Sequence, residues 1–406
     1  MKPSLAKGVD DIPPRKQILK GKILRVIRSN FKRYGFNPLQ TPTIERLDVL
    51  TSKFAGGEEI LKEVYSFKDQ GQRELGLRYD LTVGLARFIS LNRDLKMPFK
   101  RYQIGQVFRD GPIKAGRFRE FTQCDGDVVG SSSMYSDAEL LKMASSVFNE
   151  LNIDVEIKVN NRKFLDALIP VEDKASFILS LDKLEKIGGK GVRKELLGKG
   201  FDEKDVEFVL KNLELSYSEL KIKFKESFSE LDELLNYCKF LGVNVVFTPS
   251  LARGLSYYTG TVFEVFLKDS KMTGSIAAGG RYDNMISEFA GVELPAVGIS
   301  FGLDALMSAL DDYKEESLTK VYVISIDQDR EAIKVMQSLR SEGVYCDFNL
   351  KNLKKGLNFA ASYKIPYCLI IGEEEVNLKK YTLRDMNSGK EKKLNLKEIV
   401  SVLKSK

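Results

Sequence analysis

The chain contains 406 residues, of which 30% are charged, and carries a net charge of +7 with no histidine at any position. The absence of an imidazole excludes a histidine general base, a Ser-His or Cys-His nucleophile pair and a histidine metal ligand. At about 150 residues per domain, the length predicts two or three domains.

The first predicted element is an amphipathic helix. From Lys16 to Tyr34, apolar residues recur at helical spacing among basic ones, and Gly35 ends the pattern. The next stretch, Phe36–Glu45, contains two prolines and is predicted to be an extended segment at the edge of a sheet.

A long hairpin follows. Two alternating segments, Phe99–Arg109 and Arg117–Asp127, flank a turn that contains glycine and proline. Because alternate residues of a strand share a face, Gln123, Asp125 and Asp127 should lie on one side. An amide and two carboxylates are costly to bury without a hydrogen-bond donor, which a bound amino acid would supply. The hairpin also carries several arginines. A purely structural interpretation of these arginines, in which they pair with surface carboxylates, is the alternative to a binding site.

The middle of the chain is predicted to be largely helical. Residues 137–151 form an amphipathic stretch and Val155–Val159 alternates like a strand. From 163 to 242 the sequence is highly charged, with apolar residues at helical spacing, and is predicted to be a helical subdomain.

A short run after this subdomain carries the most specific chemistry. Between two predicted strands, Val243–Phe247 and Val262–Phe266, the run Leu251–Glu264 places a cation, two adjacent phenols and a carboxylate close together. That combination suits a ligand with both a phosphate and an imidazole. The small residues of Gly274–Asp283 would permit close approach of the backbone to a ligand, although a tight glycine turn in a hairpin is the alternative.

The last third of the chain predicts a strand that leads through Gly302 into a helix, and then a small α/β domain. Its βαβαβ order runs from Val321 to Gly372 and favours a partly parallel sheet. Residues 320–406 hold 17 Lys and Arg against 11 Asp and Glu, a net charge of +6. A phosphate-rich partner or a solvated lysine-rich surface would each explain this excess. A nucleotide site is disfavoured, because neither a G-x-G-x-x-G nor a P-loop spacing occurs here.

Cysteine usage and hydropathy predict the cellular location. The cysteines lie far apart, without a C-x-x-C pair, at Cys124, Cys238, Cys346 and Cys368. Neither a zinc site nor a disulfide framework is expected. No apolar segment follows Lys2 and Lys7, and no apolar run approaches the roughly 18 residues of a membrane helix. We therefore expect a reduced, cytoplasmic protein without a membrane segment.

Several motifs resemble those of histidyl-tRNA synthetases, in family order and from Gly8 to the C-terminus. Arg253–Tyr258 reads R-G-L-S-Y-Y and resembles the family's histidine-specific signature, which usually reads R-G-L-D-Y-Y. The other segments that resemble family motifs are Phe36–Glu45 (motif 1), Phe99–Asp127 (motif 2), Gly279–Asp283 (the second histidine-specific motif) and Pro295–Leu306 (motif 3). Upstream of motif 2, Leu77–Thr82 resembles the form found in archaeal and eukaryotic members of the family.

The resemblance implies an α+β fold with a class II synthetase core. An antiparallel-sheet catalytic core would comprise residues 1–162, with motifs 1 and 2, and residues 243–317, with the histidine-specific loops and motif 3. Residues 163–242 would be a helical insertion, and residues 318–406 an α/β anticodon-binding domain. The family is homodimeric, through motif 1.

The resemblance also implies an activity and its residues. The reaction would join histidine to its tRNA through histidyl-adenylate, using ATP with Mg²⁺ bound through the nucleotide and not through protein His or Cys. Arg109 and Arg253 would be catalytic and would bind ATP together with Arg117 and Asp110. The implied histidine-binding residues are Asp80, Thr82, Gln123, Asp127, Tyr257, Tyr258, Gly279 and Gly280.

Two alternatives stay open at this point. One is the synthetase-like, non-catalytic regulatory subunit of ATP phosphoribosyltransferase, which lacks an anticodon-binding tail. The other is a class II synthetase for threonine, proline or glycine, which lacks the R-G-L-x-Y-Y run. The sequence also departs from the family pattern at four positions. Ala305 stands in place of the motif 3 arginine, and Gly111 in place of an acidic residue. Ser256 replaces the usual aspartate, and Gly84 stands where a proline is frequent. These changes bear more on ATP and Mg²⁺ than on histidine.

Overall fold

The computed structural model describes residues 3–52, 62–112, 118–253, 257–268, 270, 272, 274–310, 317–349 and 352–404. The chain divides into two compact units, Met1–Asp311 and Asp312–Lys406. None of the described helices is both long and apolar enough to cross a membrane.

The N-terminal elements confirm the predicted helix and extended segment. The helix starts at Pro14, where a missing N–H costs no hydrogen bond, and Gly35 follows it with a φ of 79°. Three of the short strands form a small separate sheet, in which Glu74–Leu77 lies between Ile44–Arg46 and Ser66–Lys68. The elements are α1 (Pro14–Arg33), β1 (Asn37–Pro38), β2 (Ile44–Arg46), α2 (Leu47–Leu50), β3 (Ser66–Lys68), β4 (Glu74–Leu77) and α3 (Thr82–Leu91).

The predicted hairpin is present as β5 (Phe99–Phe108) and β6 (Glu120–Val129), which pair antiparallel along their full length. It is followed by α4 (Met134–Glu150) and β7 (Val155–Asn161). The side chain of Ser133 accepts a hydrogen bond from the backbone of Tyr135 and caps α4, which fixes where that helix begins.

The helical subdomain predicted for 163–242 is also present. Its third helix is broken at Gly188, which has a φ of 68°, so the glycine-rich stretch there interrupts the helix. The elements are α5 (Arg162–Leu168), α6 (Lys174–Leu181), α7 (Leu184–Gly198), α8 (Glu203–Asn212), α9 (Tyr217–Lys223), a 3₁₀ turn (Lys225–Phe228) and α10 (Ser229–Phe240).

The rest of the first unit corrects one sequence interpretation and excludes one alternative. The strand predicted for Val243–Phe247 is only two residues long, because Val243 still belongs to the turn after α10, where its N–H bonds to Cys238. The glycine pair at 279–280 lies inside a strand and not in a hairpin turn. The elements are β8 (Val246–Phe247), β9 (Thr261–Leu267), β10 (Ala277–Arg281), α11 (Asp283–Ala290), β11 (Ala296–Gly302) and α12 (Leu303–Ala309).

The main sheet of the first unit has the strand order β1-β5-β6-β11-β10-β9-β7-β8. Its neighbouring strands run antiparallel except at the two outer pairs, β1 with β5 and β7 with β8. Helices cover one face: Phe31 of α1 and Phe148 of α4 contact Phe301 of β11. A side chain at Gly126 of β6 would overlap Phe31, so that glycine lets α1 lie close. On the opposite face, Val129 and Ala296 pack with residues of α3 and α11, and the neighbouring parts of the strands line a cavity.

The second unit contains a five-stranded sheet. Its strands lie in the order Cys346–Asn349, Val321–Ser325, Tyr367–Ile371, Tyr381–Asp385 and Glu391–Leu394. The predicted βαβαβ order is confirmed, and its three strands are parallel. The sequence interpretation missed the antiparallel pair and the two helices that complete the unit. The elements are β12 (Val321–Ser325), α13 (Asp329–Ser341), β13 (Cys346–Asn349), α14 (Leu353–Ser362), β14 (Tyr367–Ile371), α15 (Glu373–Leu378), β15 (Tyr381–Asp385), β16 (Glu391–Leu394) and α16 (Leu396–Lys404).

Candidate active site

A cavity of about 240 Å³ lies on the face of the main sheet opposite α1 and α4. Small residues of β10 and β11 make room for it: Ala278 lies opposite Ser300, and Gly280 opposite Gly298. The cavity collects most of the site residues that the resemblance implies. Those that line it are Asp80, Thr82, Arg109, Gln123, Asp127, Arg253, Tyr257, Tyr258, Gly279 and Gly280.

Two of the implied residues remain, and of these the structure describes only Asp110. Asp110 is absent from the cavity lining, and its carboxylate lies 2.8 Å from the guanidinium of Arg119. Arg117 is outside the described residues, as is Ser256. Next to Asp110, a Cβ atom at Gly111 would lie 2.6 Å from Oε1 of Glu63, so a glutamate from another segment fills the space beside this glycine.

Arg109 enters the cavity from the end of β5. Its Nε donates to the carbonyl of Tyr79 at 3.1 Å, and its guanidinium lies 5.1 Å from the centre of the Phe121 ring. These contacts orient the planar guanidinium, which can bind a phosphate through two parallel hydrogen bonds. The sequence did not indicate either support, because Tyr79 and Phe121 belong to different elements.

Arg253 reaches the cavity from the loop before β9. Its φ of 41° is unusual for a residue with a side chain. The guanidinium lies 5.2 Å from the ring centre of Tyr258, and its Nε is 3.6 Å from Oε1 of Glu264. Within the described part of the chain, its buried Nη1 has no hydrogen-bond partner. This arginine therefore retains donor capacity for a bound anion.

The paired tyrosines form an aromatic wall. The rings of Tyr257 and Tyr258 are 4.7 Å apart, and Tyr282 lies 6.1 Å from Tyr257. Burial raises the pKa of both Tyr257 and Tyr258 above the usual tyrosine value. Both phenols therefore stay protonated near neutral pH and can donate as well as accept hydrogen bonds.

A cluster of three buried carboxylates lies beneath the tyrosines and consists of Asp80, Asp125 and Asp127. Burial raises the pKa of Asp80 to about 6 and that of Asp125 to about 7, and also raises the pKa of Asp127. Arg101, which is fully buried, pairs with Asp127 at 2.9 Å and donates to the carbonyl of Leu81 at 3.0 Å. Arg78, Arg101 and Arg109 each act electrostatically on one or more of these carboxylates. The carboxylate oxygens can still accept hydrogen bonds from a cationic ligand group.

Several residues of the site were missed by the sequence interpretation. The hydroxyl of Tyr282 donates to Asp127, and Ser300 bonds to both Asp125 and Gln123. Alternation correctly places Asp125 on the face predicted to meet a bound amino acid, although the resemblance does not include it among the histidine-binding residues. By contrast, Arg281 has a structural role, since its guanidinium pairs with Asp137 of α4 and donates to the carbonyl of Ser131.

The chain matches two family models, each along one of its units. Residues 8–306 match the family described as histidyl-tRNA synthetase, and residues 320–406 match an anticodon binding domain. This chain belongs to the histidyl-tRNA synthetase family. The fold class predicted from the sequence is confirmed by these matches and by the sheet described above.

Relatives in this family extend along nearly the whole chain. A histidine–tRNA ligase 1 of Bacillus anthracis is 45% identical over 420 residues, which covers 98% of this chain and 99% of that protein. The crystal structure of histidyl-tRNA synthetase from Nostoc sp. PCC 7120 is 31% identical, with a TM-score of 0.87, and covers 100% of this chain and 99% of that one.

A third solved structure shares the fold alone. It is an ATP phosphoribosyltransferase regulatory subunit/histidyl-tRNA synthetase from Bacillus halodurans, which is 19% identical with a TM-score of 0.74 and covers 91% of this chain and 98% of that one. The resemblance of Leu77–Thr82 to the archaeal and eukaryotic form of the family stays a prediction.

Proposed function

We propose that this chain activates histidine with ATP, forming histidyl-adenylate and pyrophosphate, and then transfers the histidyl group to the terminal ribose of the histidine tRNA. The observation that carries the proposal is the meeting of Arg253, Tyr257 and Tyr258 with the carboxylate cluster in one cavity. Family membership and 45% identity to a histidine–tRNA ligase over nearly the full chain support it.

Histidine would bind through complementary hydrogen bonds. Its α-ammonium group would be attracted by the carboxylate cluster, where Arg101 offsets only part of the negative charge. Tyr257 or Tyr258 would bond to the imidazole nitrogens. An analogue without these groups would leave buried polar atoms unpaired, which is the most effective way to reject it.

The first chemical step is an in-line displacement at the α-phosphorus. A carboxylate oxygen of histidine forms the new bond to phosphorus while the bond to pyrophosphate breaks. Arg109 and Arg253 would lie on either side of the α-phosphate and stabilise the negative charge on its oxygens. Because the step depends on positioning and charge, an enzyme imidazole is not needed.

Mg²⁺ would arrive with ATP and neutralise its outer phosphates. Glu63 and Asp110, next to the hairpin turn, would be the residues to hold it, because Mg²⁺ prefers oxygen ligands. The carboxylate of Asp110 would then have to exchange its contact with Arg119 for the ion. The backbone N–H of Asp110 donates to the carbonyl of Glu63 at 2.8 Å, so their side chains begin at adjacent positions.

The partners and location follow the same proposal. The second unit would bind the anticodon end of the tRNA, to which its net charge of +6 is suited. Two copies would associate through Phe36–Glu45, where β1 lies at the edge of the main sheet. Free thiols at all four cysteines fit a reducing cytoplasm. Analytical ultracentrifugation would detect the dimer.

One observation favours the regulatory-subunit alternative: Ala305 replaces an arginine that the family usually carries in motif 3. The anticodon-binding unit at residues 320–406 favours the ligase. Pyrophosphate exchange into ATP, measured with each of the twenty amino acids, distinguishes the two. We expect exchange with histidine alone. No exchange, or exchange with a different amino acid, would contradict the proposed function.

A further inference from the structure

A partly buried chain of hydrogen bonds crosses from β6 to β11 beside the cavity. Nε2 of Gln123 donates to Oγ of Ser300 at 3.1 Å, and Oγ of Ser300 donates to Oδ1 of Asp125 at 2.6 Å. Asp125 and Ser300 lie directly opposite each other in the strand register. Gln123 is two residues before Asp125 and therefore shares its face.

The chemistry of the three groups fixes the direction of this chain. An ionised carboxylate only accepts hydrogen bonds, so Ser300 must give Asp125 its single hydroxyl hydrogen. The serine oxygen can then only accept, and the group of Gln123 that donates to it is the NH₂. The other amide atom, Oε1 of Gln123, is buried and has no partner among the described residues. A buried carbonyl oxygen in this position needs a donor.

We propose that Asp125 and Ser300 are positioning residues that hold the amide of Gln123 with its carbonyl oxygen available to the α-ammonium group of bound histidine. The inference rests on the proposed function, because it takes histidine as the ligand. Neither residue needs to touch the substrate. Their effect passes through the orientation of one amide, which by itself could present either its NH₂ or its oxygen.

Protonation of Asp125 would remove this constraint. Burial raises the pKa of Asp125 to about 7, and Arg101 opposes the rise. A protonated Asp125 can donate to Ser300, whose hydroxyl then becomes a donor and favours the amide oxygen of Gln123. The histidine affinity that depends on the relay should therefore fall as the pH falls through 7. The charged or titratable groups that face Asp125 are Arg78, Asp80, Arg101, Asp127 and Tyr258.

Calorimetric binding to the full-length protein tests the relay without requiring catalysis. Two ligands are compared, histidine and imidazolepropionate, which lacks the α-ammonium group. In Ser300→Ala, the dissociation constant for histidine should rise about 5- to 10-fold, because one hydrogen bond to the ligand is weakened. The dissociation constant for imidazolepropionate should stay within about twofold of the parental value. Ser300→Thr keeps the hydroxyl and should recover most of the histidine affinity. Ser308→Ala, at an exposed serine on the next helix, is the matched control.

The pH dependence provides a second readout. Histidine itself titrates near pH 6.5, so the quantity to compare is the ratio of its dissociation constants in Ser300→Ala and in the parent. This ratio should shrink toward one from pH 8 to pH 6. The relay would be overturned if Ser300→Ala weakened the binding of both ligands equally or did not weaken the binding of histidine. A ratio of dissociation constants that is independent of pH would also overturn it. If the binding measurements show the relay but the parent protein catalyses no histidine-dependent pyrophosphate exchange, only the proposed function is contradicted.

Discussion

At the scale of single residues, Arg253 combines an unfavourable backbone with an unsatisfied side chain. Its left-handed φ of 41° carries a cost that other interactions must offset, and buried Nη1 lacks a described partner. Such strain at a residue that faces a cavity suggests that the residue is placed for a ligand. The motif revealed the arginine from the sequence, but not this backbone, because no turn signal distinguishes it from its neighbours.

We predict that Arg253→Ala lowers the rate of histidyl-adenylate formation by about 10²- to 10³-fold, as when one oriented donor to a developing charge is removed. Histidine affinity should change much less, because the carboxylate cluster is intact. Arg253→Lys should recover little, since an ammonium group lacks the planar fork. Single-turnover adenylate formation measures both variants.

The control for this change is Arg73→Ala, an arginine whose side chain is 78% exposed in the hairpin between β3 and β4. It should keep the parental rate. If Arg253→Ala also keeps that rate, the contact with Glu264 is the function of this arginine, and its catalytic assignment is wrong.

The buried Asp125 should make stability depend on pH. Its pKa is about 7 in the folded protein and about 3.9 in an unfolded chain. The folded state therefore binds more protons between these values, and its stability falls as the pH rises from about 4 to about 7. Asp125→Asn removes this loss. We expect the variant to gain melting temperature relative to the parent at pH 8 and to gain less at pH 4.5.

Calorimetry of the ligand-free proteins at the two pH values measures this difference. The exposed Asp48, whose pKa Arg46 lowers, offers the control Asp48→Asn, which should show no gain at pH 8. A larger loss of melting temperature for Asp125→Asn at pH 8 than at pH 4.5 would mean that the ionised carboxylate stabilises the fold.

At the scale of elements, local patterns predicted strands and faces, while partners across strands had no local signal. Alternation correctly placed Gln123, Asp125 and Asp127 on one side of β6. The groups that complete the site come from far along the chain: Tyr282 is 155 residues from Asp127, and Ser300 is 175 residues from Asp125. Strand order and register determine these contacts, and periodicity within one strand carries no information about either.

The helix of motif 3 gives a prediction at this scale. Gly302 lines the cavity, and a Cβ atom built on it would lie 3.7 Å from that of Ala305. The neighbouring Phe301 and Leu306 are fully buried and leave position 305 only partly covered. We therefore expect Ala305→Arg to reach the nucleotide and lower the KM for ATP by about 2- to 10-fold, through a cation against the adenine ring.

Pyrophosphate exchange with histidine saturating measures this KM. Ser308→Arg adds the same charge at an exposed position of the same helix and should leave the KM unchanged. If the two variants behave alike, position 305 does not face the nucleotide and the assignment of motif 3 must be revised.

At the scale of the whole molecule, the fold of the first unit was predictable through the resemblance of its motifs to those of a known family. The fold of the second was predictable from its alternation of strands and helices. The end of the second unit was missed for a physical reason. Three of the four residues of β16, Glu391–Leu394, are exposed and charged, so this edge strand has almost no hydrophobic pattern to detect.

The two units should separate the two steps of the reaction. The cavity lies entirely within Met1–Asp311, and the basic excess lies in residues 320–406. Deletion of residues 319–406 should therefore keep histidine-dependent pyrophosphate exchange within about threefold of the parent, a difference of less than about 1 kcal/mol. Charging of the histidine tRNA should be strongly impaired.

Salt dependence connects this deletion to charge. If lysines and arginines of the second unit contact phosphates, the logarithm of the full chain's affinity for tRNA should fall linearly with the logarithm of salt concentration, and the deletion should make the slope shallower. Filter binding at several salt concentrations measures both slopes, while pyrophosphate exchange confirms that the shortened chain is folded. Equal slopes and equal charging would place the tRNA contacts in the first unit, where the helices between residues 162 and 240 would be the next segment to test.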